Sequence, residues 1–460
     1  MKKAIIVFTR VPFPGQTKTR MMPYLTEKEC AQLHGCFLKD IGAECQKVDA
    51  DLFVYYTDDR KGIPDWDEDK DRLWKKKRRT LVECFGKEAF YRIQSGKSLG
   101  DRMYQAIEEV LKKDYEECIL IGTDIPEIHK NDLEQAFRVL EERDVVFGPT
   151  KDGGYYLVGM KKPIKEVFSI KSYGHGSVLE DTLKGLQELS VTAGCVRTLS
   201  DMDTPEDLKN FRKEIRDKKK HLQKTATGRF AAASAKISII VPIYNEEKTI
   251  KTIQKQLWAL KDKCEIILVD GGSTDRTLEM INPVFRVIRS GKGRAVQMNT
   301  GAKESSGDIL FFLHCDSELP RKPLEQIREV MTGHHAGCFG IAFRSKQFFL
   351  FTCRVVSNMR VFDRKVMFGD QGMFMDRELF FEAGMFPEIP IMEDYQLSLT
   401  LKAMKVKFGM AKRRIYTSDR RFPKKTIPKL DVMWKMNRLR KKYRDGVAIR
   451  EISDRYRDIR

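Results

Sequence analysis

Asp316 ends the stretch Asp308-Ile-Leu-Phe-Phe-Leu-His-Cys-Asp316 and is the first carboxylate after the apolar run Ile309 to Leu313. Such a run reads as a strand buried on both faces, because burial removes the in/out alternation. Open α/β sheets bind ligands just outside the carboxyl ends of their strands. A carboxylate placed there can hold a hard divalent cation, and the cation can hold a diphosphate. The same residue type also closes turns and caps helices.

Further stretches with chemical potential surround it. Val241-Pro242-Ile-Tyr244-Asn-Glu246 ends one apolar run, and Val269-Asp270-Gly-Gly-Ser-Thr-Asp275 ends the next. Their glycines let backbone approach a ligand closely. Gly293-Arg294 opens a helical pattern, where free amides and a guanidinium suit an anion. Glu393-Asp394 starts another helix, preceded by Gly369-Asp-Gln-Gly-Met373. One of this acidic pair can take a proton from a hydroxyl, and either is also favoured at a helix N-terminus by the macrodipole.

The first half has its own array. Thr9-Arg-Val-Pro-Phe-Pro-Gly15-Gln-Thr-Lys18-Thr-Arg20 follows an apolar run directly. It lacks the first glycine of a P-loop, yet a glycine with Lys18 and Arg20 after a strand suits a triphosphate. Downstream lie Ser98-Leu-Gly-Asp-Arg102, Gly122-Thr-Asp124-Ile-Pro126, Lys151-Asp152-Gly153-Gly154-Tyr155 and Ser200-Asp-Met-Asp203-Thr-Pro-Glu-Asp207. Asp203 fits a helix N-cap as well as a ligand.

The elements that must position these residues alternate. In the first half, strands are expected at 4–8, 52–56, 118–121, 145–147 and 155–158. Helices are expected at 27–47, 99–112, 130–142, 177–188 and 205–216. In the second half, strands are expected at 237–241, 264–269, 284–288 and 309–313, with helices at 247–260, 294–303, 323–332 and 377–383. Strand–helix alternation implies an α/β fold with a mostly parallel sheet. The charge run Lys70 to Arg79 is expected to be a solvated loop or strand edge. Residues 216–236 change from polar to small without apolar periodicity and read as a flexible linker. The division is therefore 1–215, a linker, and 237–460 with a basic helical tail carrying Trp434, Leu439 and Tyr443. The halves rhyme, since each opens on an apolar strand and later has one ending in Asp then Pro. They read as two copies of one nucleotide-binding architecture.

Bulk composition narrows the partners. The chain has 460 residues, 41% hydrophobic and 33% charged, with a net charge of +19. This suits two large soluble domains and anionic partners. No RRM, KH, zinc-finger or helix-turn-helix signature is present, so nucleic acid is not the expected partner. Ten cysteines without C-x-x-C pairs argue against a zinc site or a disulfide framework and for a reducing compartment. The five-residue apolar run near the N-terminus is too short for a signal peptide, and nothing approaches a membrane span. A cytoplasmic protein is expected.

From Lys236 onward the order and spacing of these motifs resemble inverting glycosyltransferases of the large family two, with the nucleotide-sugar GT-A fold. The resemblance implies that Pro242, Tyr244, Glu246 and Asp270 hold the nucleoside. It implies that Asp316 binds Mg²⁺ or Mn²⁺ on the diphosphate and that Asp394 is the catalytic base, with Glu393 beside the substrate. Arg420 and Arg421 would lie near the diphosphate, and Arg294, read from its helix start, is a further candidate for binding the nucleotide. The usual metal motif is Asp-x-Asp, and here His314 takes the first place. That feature, with Phe386-Pro-Glu-Ile-Pro-Ile-Met-Glu-Asp394, resembles a subgroup associated with radical-SAM/selenodomain proteins and assigned to arsenosugar biosynthesis. Met1 to Lys213 is similar to the other radical-SAM-associated transferase family, and more distantly to nucleotidyltransferases such as phospholactate and molybdenum-cofactor guanylyltransferases. That resemblance implies a metal shared by Asp124 and Asp203 on an NTP, phosphates neutralised by Lys18 and Arg20 beside Gly15, and an acceptor pocket at Asp152-Gly153-Gly154.

The expectation is two tandem GT-A domains: one making a nucleotide-sugar from NTP, the other transferring the sugar to a small-molecule or lipid-linked acceptor. The first domain can instead be a second glycosyltransferase or an inactive scaffold. A further reading sets Gln347–Val356 and the basic tail at a membrane surface facing a lipid phosphate. Its counterpart is a helix packed on the acceptor side of the core.

Overall fold

Strand β1, Lys3–Arg10, sends Ile5 and Val7 into one hydrophobic core and Ala4 and Ile6 into another. Both faces of its sheet are covered by helices, which is why its central strands read as unbroken apolar runs. The computed structural model describes residues 2–58, 60, 66–169, 176–343, 348–417 and 426–457. They fall into two units, Met1–Ala231 and Ala232–Arg460.

The first unit continues with β2 (Asp51–Thr57), β3 (Phe90–Ile93), β4 (Glu117–Gly122), β5 (Val145–Pro149), β6 (Tyr155–Met160) and β7 (Ala193–Cys195). The sheet order is β3-β2-β1-β4-β6-β5-β7, with only β6 antiparallel to its neighbours. The second unit holds β8 (Ile237–Ile243), β9 (Glu265–Asp270), β10 (Arg286–Arg289), β11 (Ile309–Phe312), β12 (Ala336–Ala342), β13 (Met373–Asp376) and β14 (Phe408–Tyr416). Its order, β10-β9-β8-β11-β13-β12-β14, is the first unit's with every number raised by seven, and β13 is the antiparallel member. Asp124 and Asp316 therefore follow equivalent strands, β4 and β11, beside the point where strand order reverses.

Helix ends follow local capping. The helix Glu27–Cys45 begins at a capping box of Thr26 and Glu29, and Ser98 with Asp101 starts Leu99–Leu111 in the same way. The charge run Lys70 to Arg79 is neither loop nor strand edge. It lies inside the helix Glu68–Phe85, capped by Asp67, with Trp74, Leu81 and Phe85 turned inward. Three apolar side chains on one face outweigh the run's charge, and those charges occupy the wet face. Residues 216–236, expected as a linker, carry the helix Ala226–Ala233. Asp40 accepts the Ala226 and Thr227 amides at 2.8 and 2.7 Å.

The strands that periodicity did not reveal have physical reasons. β3 and β7 are short, barely buried edges. β12 contains two glycines and pairs with β14 across a register shift at Phe339/Gly340. No helix among the described residues is long and apolar enough to cross a membrane.

Candidate active sites

In the first unit the loops after β1 and β4 border a cavity of about 590 Å³. Lys18 adopts a left-handed conformation, φ 53°, at the start of a short turn. Its ammonium lies 2.7 Å from Asp124 Oδ1, 2.7 Å from Asp203 Oδ1 and 2.8 Å from the Met202 carbonyl. Burial alone would lower its pKa, but the two carboxylates outweigh it and the net shift is upward. Asp124 in turn is held below the carboxylate range: burial would raise it, and Lys18 prevails. Lys18, expected on the phosphates, is here the counter-ion of both candidate metal ligands.

Asp203 is available for this because it is not the helix cap. Thr204 caps Pro205–Asp217, in a capping box with Asp207. Arg20 is mostly exposed, with one guanidinium nitrogen 3.6 Å from Asp203 Oδ2. Asp152 and Gly154 line the cavity. Asp152 accepts from the Thr150 hydroxyl and the Gly154 amide. Gly15 and Gly153 shape the neighbouring turns, at φ 78° and 88°, and are not among the lining residues.

Sequence reasoning did not single out two lining groups. Burial, then the charges of Asp152 and Asp203, pushes the Asp201 carboxyl up. Asp201 was visible only as part of an acidic run. His34 reaches the cavity from the helix Glu27–Cys45, its Nε2 at 3.3 Å from Thr9 Oγ1 and 3.2 Å from the Arg10 carbonyl. No motif marks it; it lies on the buried face of an amphipathic helix.

In the second unit the loops after β8 and β9 are laced together. Thr274 donates its amide to Asn245 Oδ1 at 2.8 Å, and the Glu246 amide donates to Thr277 Oγ1 at 2.7 Å. Asp270 is buried, and its carboxylate accepts the Gly272 and Ser273 amides at 3.1 and 3.0 Å. Glu246 accepts the Thr249 hydroxyl. Pro242 belongs to β8, opposite Val269. Tyr244 is the exposed member, with the Lys292 ammonium 4.6 Å from its ring centre. Gln297 donates to the Ile243 and Val269 carbonyls at 2.6 and 2.8 Å, tying both strand ends to the helix Arg294–Lys303.

Asp316 sits half-buried in a turn closed by the Ser317 amide on the His314 carbonyl at 3.1 Å. Asp394 lies in the first turn of the helix Glu393–Ala403 and accepts the Gly369 amide at 2.8 Å. A methyl group on Gly369 would lie 2.7 Å from His314 Nε2 and 3.4 Å from Asp394 Oδ2, so these two side chains border one small space. Glu393 is buried and paired with Arg294 at 3.2 Å. Burial and the neighbouring Asp394 charge raise its pKa, and Arg294 offsets part of this. Arg420 and Arg421 lie outside the described residues.

Residues 46–175 match the family described as "Uncharacterized protein conserved in bacteria (DUF2064)", and residues 238–386 match "Glycosyl transferase family 2". The chain is similar to an uncharacterized glycosyltransferase of Haemophilus influenzae, 32% identical over 108 residues, which are 22% of this chain and 43% of that protein. It is also similar to the poly-beta-1,6-N-acetyl-D-glucosamine synthase of Staphylococcus aureus, 33% identical over 89 residues, 18% of this chain and 22% of that one. The match thus spans less than half the length of these curated relatives. Among solved structures, the mannosyltransferase PcManGT of Pyrobaculum calidifontis, in complex with GDP-Man and Mn²⁺, aligns over 49% of this chain and 70% of its own at 19% identity and a TM-score of 0.35. The two family matches together describe a fusion of a DUF2064-type domain with a family 2 glycosyltransferase domain.

Proposed function

We propose that the C-terminal unit is an inverting glycosyltransferase in which Asp394 is the base. The observation that carries this is the convergence of Asp394 and His314, two residues before Asp316, on one space, with Glu393 bonded to Arg294 on the helix that Gln297 ties to the ends of β8 and β9. The acceptor oxygen attacks the anomeric carbon and its proton passes to Asp394. The bond from that carbon to the diphosphate oxygen breaks, and the electron pair leaves with the diphosphate. The Gly369 and Tyr395 amides, at 2.8 and 2.7 Å, hold the carboxylate in place while leaving it capacity to accept the proton.

Mg²⁺ or Mn²⁺ fits at Asp316, with His314 alongside. One carboxylate and one imidazole would leave the remaining positions of such a cation to diphosphate oxygens and water. When bound, the cation supplies positive charge to the leaving diphosphate. Tyr244, with Lys292 over its ring, and the loop built on Asp270 face the nucleoside.

The N-terminal unit is proposed as a nucleotidyltransferase that makes the nucleotide-sugar or a related nucleotide. Support comes from Asp124 and Asp203 converging on one cationic position, held by Lys18, in the lining of the cavity. A divalent cation fits between these carboxylates once the ammonium swings to the phosphates. The setting proposed is the cytoplasm, in keeping with nine free cysteines among the described residues. A peripheral-membrane version has one observation in its favour: Val355, Val356, Met359 and Phe362 are exposed along the helix Phe348–Asp363. Flotation of the full chain with anionic liposomes tests it.

The main test uses the full chain with Mn²⁺ and a panel of UDP- and GDP-sugars, reading nucleoside diphosphate release. Asp394→Asn should lower kcat by roughly 10²–10⁴-fold with donor KM nearly unchanged. Equal rates in the two proteins would exclude Asp394 as the base. In the Asp394→Asn background, pyrophosphate release from NTP and sugar phosphates, abolished by Asp203→Asn, is expected of the first unit. Its absence across the panel would leave that unit as a second glycosyltransferase or a scaffold.

A further inference from the structure

Three arginines of the C-terminal unit gather where the proposed transfer has no use for them. Arg360 lies on the helix Phe348–Asp363, Arg364 follows that helix, and Arg440 lies on the helix Thr426–Arg444. The Arg360 guanidinium is 4.0 Å from the ring centre of Phe368, and that of Arg440 is 5.4 Å from the same centre. Phe368 stacks on Tyr395, with ring centres 5.9 Å apart at 14°. These two rings flank the proposed base: Phe368 precedes Gly369, whose amide binds Asp394, and Tyr395 follows Asp394. The arginine pair thereby meets a ring whose next residue in the chain binds the proposed base.

The grouping is poorly compensated. Arg294, by contrast, is bonded to Glu393 at 3.2 Å, whereas the Arg440 guanidinium has only the neutral Asn437 Oδ1 as its hydrogen-bond acceptor among the described residues. The buried Arg360 Nε has no hydrogen-bond partner among the described residues. Burial, then the charge of Arg440, pushes the Arg360 guanidinium down to about 10, and Asp370 and Asp394 only partly offset this. Arg440 is shifted downward as well, first by burial. Two like charges over one ring, beside a carboxylate that must act as a base, are a standing cost that an anion between them would remove.

The position speaks against the donor diphosphate as that anion. The nucleoside loops follow β8 and β9. The helix of Arg360 packs on β12, where Asn358 exchanges hydrogen bonds with both backbone groups of Ile341, and β11 and β13 lie between. The arginines therefore sit on the far side of Asp316 from the nucleoside. Two planar guanidinium forks match a phosphate, with its three oxygens and near-double charge, better than a carboxylate.

We infer that Arg360 and Arg440, framed by Phe368 and Tyr395, bind a phosphate group carried by the acceptor and so set its hydroxyl at Asp394. This rests on reading Asp394 as the base and adds the acceptor's chemical class. The phosphate can belong to a soluble ester or to a lipid headgroup.

The test is calorimetric titration of the full chain with glycerol 3-phosphate and with glycerol. A second arm measures binding to phosphatidylcholine vesicles with and without phosphatidic acid. Glycerol 3-phosphate should bind and glycerol should not. Arg360→Gln and, separately, Arg440→Gln should weaken binding at least about tenfold, the loss expected for a charge-assisted contact. Binding of UDP or GDP with Mn²⁺ should be unchanged in both. If Arg360→Gln fails to fold, Arg440→Gln and Arg440→Lys carry the test, Lys being the weaker because it loses the fork. Vesicle binding that needs phosphatidic acid and disappears in the arginine variants supports the site with a lipid source. Phosphate-ester binding equal in wild type and variants, or no binding of either probe, overturns it. Asp394→Asn separates the two readings: phosphate binding that persists while transfer is lost supports both. An Asp394→Asn protein as active as wild type removes the base and leaves the anion site standing on its binding data.

Discussion

Acidification from pH 7 toward 4 should destabilise the N-terminal unit through a single buried imidazole. His34 is 4% exposed, within hydrogen-bond reach of the Thr9 hydroxyl and the Arg10 carbonyl. Burial pushes its pKa down to about 4 and the Lys18 charge adds to this, while the Asp124 charge and the hydrogen bond to the Arg10 carbonyl work against it. In the unfolded chain the same group titrates near 6.5, so between the two values the unfolded state holds a proton that the folded state refuses. The contribution is fully present above about 6.5 and is lost as pH falls to about 4. At about 1.4 kcal/mol per pH unit the loss amounts to about 3 kcal/mol, a large part of a domain's net stability. Asp124 does not blur this window, because its depressed pKa puts its own loss below the normal carboxylate range. The assay is urea unfolding at several pH values between 4 and 7, in a background with Trp258 and Trp434 replaced by Phe. Fluorescence then follows only Trp66 and Trp74 of the first unit. His34→Gln should flatten the pH slope. If wild type and variant lose stability in parallel, the buried imidazole is not the cause.

Two other substitutions probe the sites. Gly153→Ala puts a methyl group 1.9 Å from the Gly176 carbonyl oxygen at φ 88°. Strain of that conformation alone costs about 1–3 kcal/mol, so calorimetry should show a lower first-unit Tm; an unchanged Tm would mean the loop relaxes freely. Arg294→Met leaves Glu393 buried beside Asp394 and should cost about 3–5 kcal/mol, nearer the lower figure because Arg294 is 38% exposed. Since burial and Asp394 already raise the Glu393 pKa, the variant's deficit should grow as pH rises through that raised value. A deficit independent of pH would indicate lost packing instead of an uncompensated charge.

What the residues disclosed on their own was local in origin. β1, β4, β8 and β11 are buried on both faces, so their runs stand out whatever else the chain does. Helix starts such as Thr26 and Ser98 announce themselves because capping is a three-residue event. The carboxylates ending β4 and β11 were legible for the same reason: a polar group after an apolar run marks the strand's exit from the core. Edge strands such as β3 and β7 left no pattern, having little to bury. Other outcomes depended on the fold. That Asp203, with Thr204 serving as the helix cap, would meet Lys18, 185 positions away, was decided only by the fold. The gathering of Arg360 and Arg440 over Phe368 joins two helices that sequence spacing does not relate. Backbone periodicity follows from nearest neighbours, whereas charges meet only after two cores per sheet have packed and brought distant loops to the strand ends.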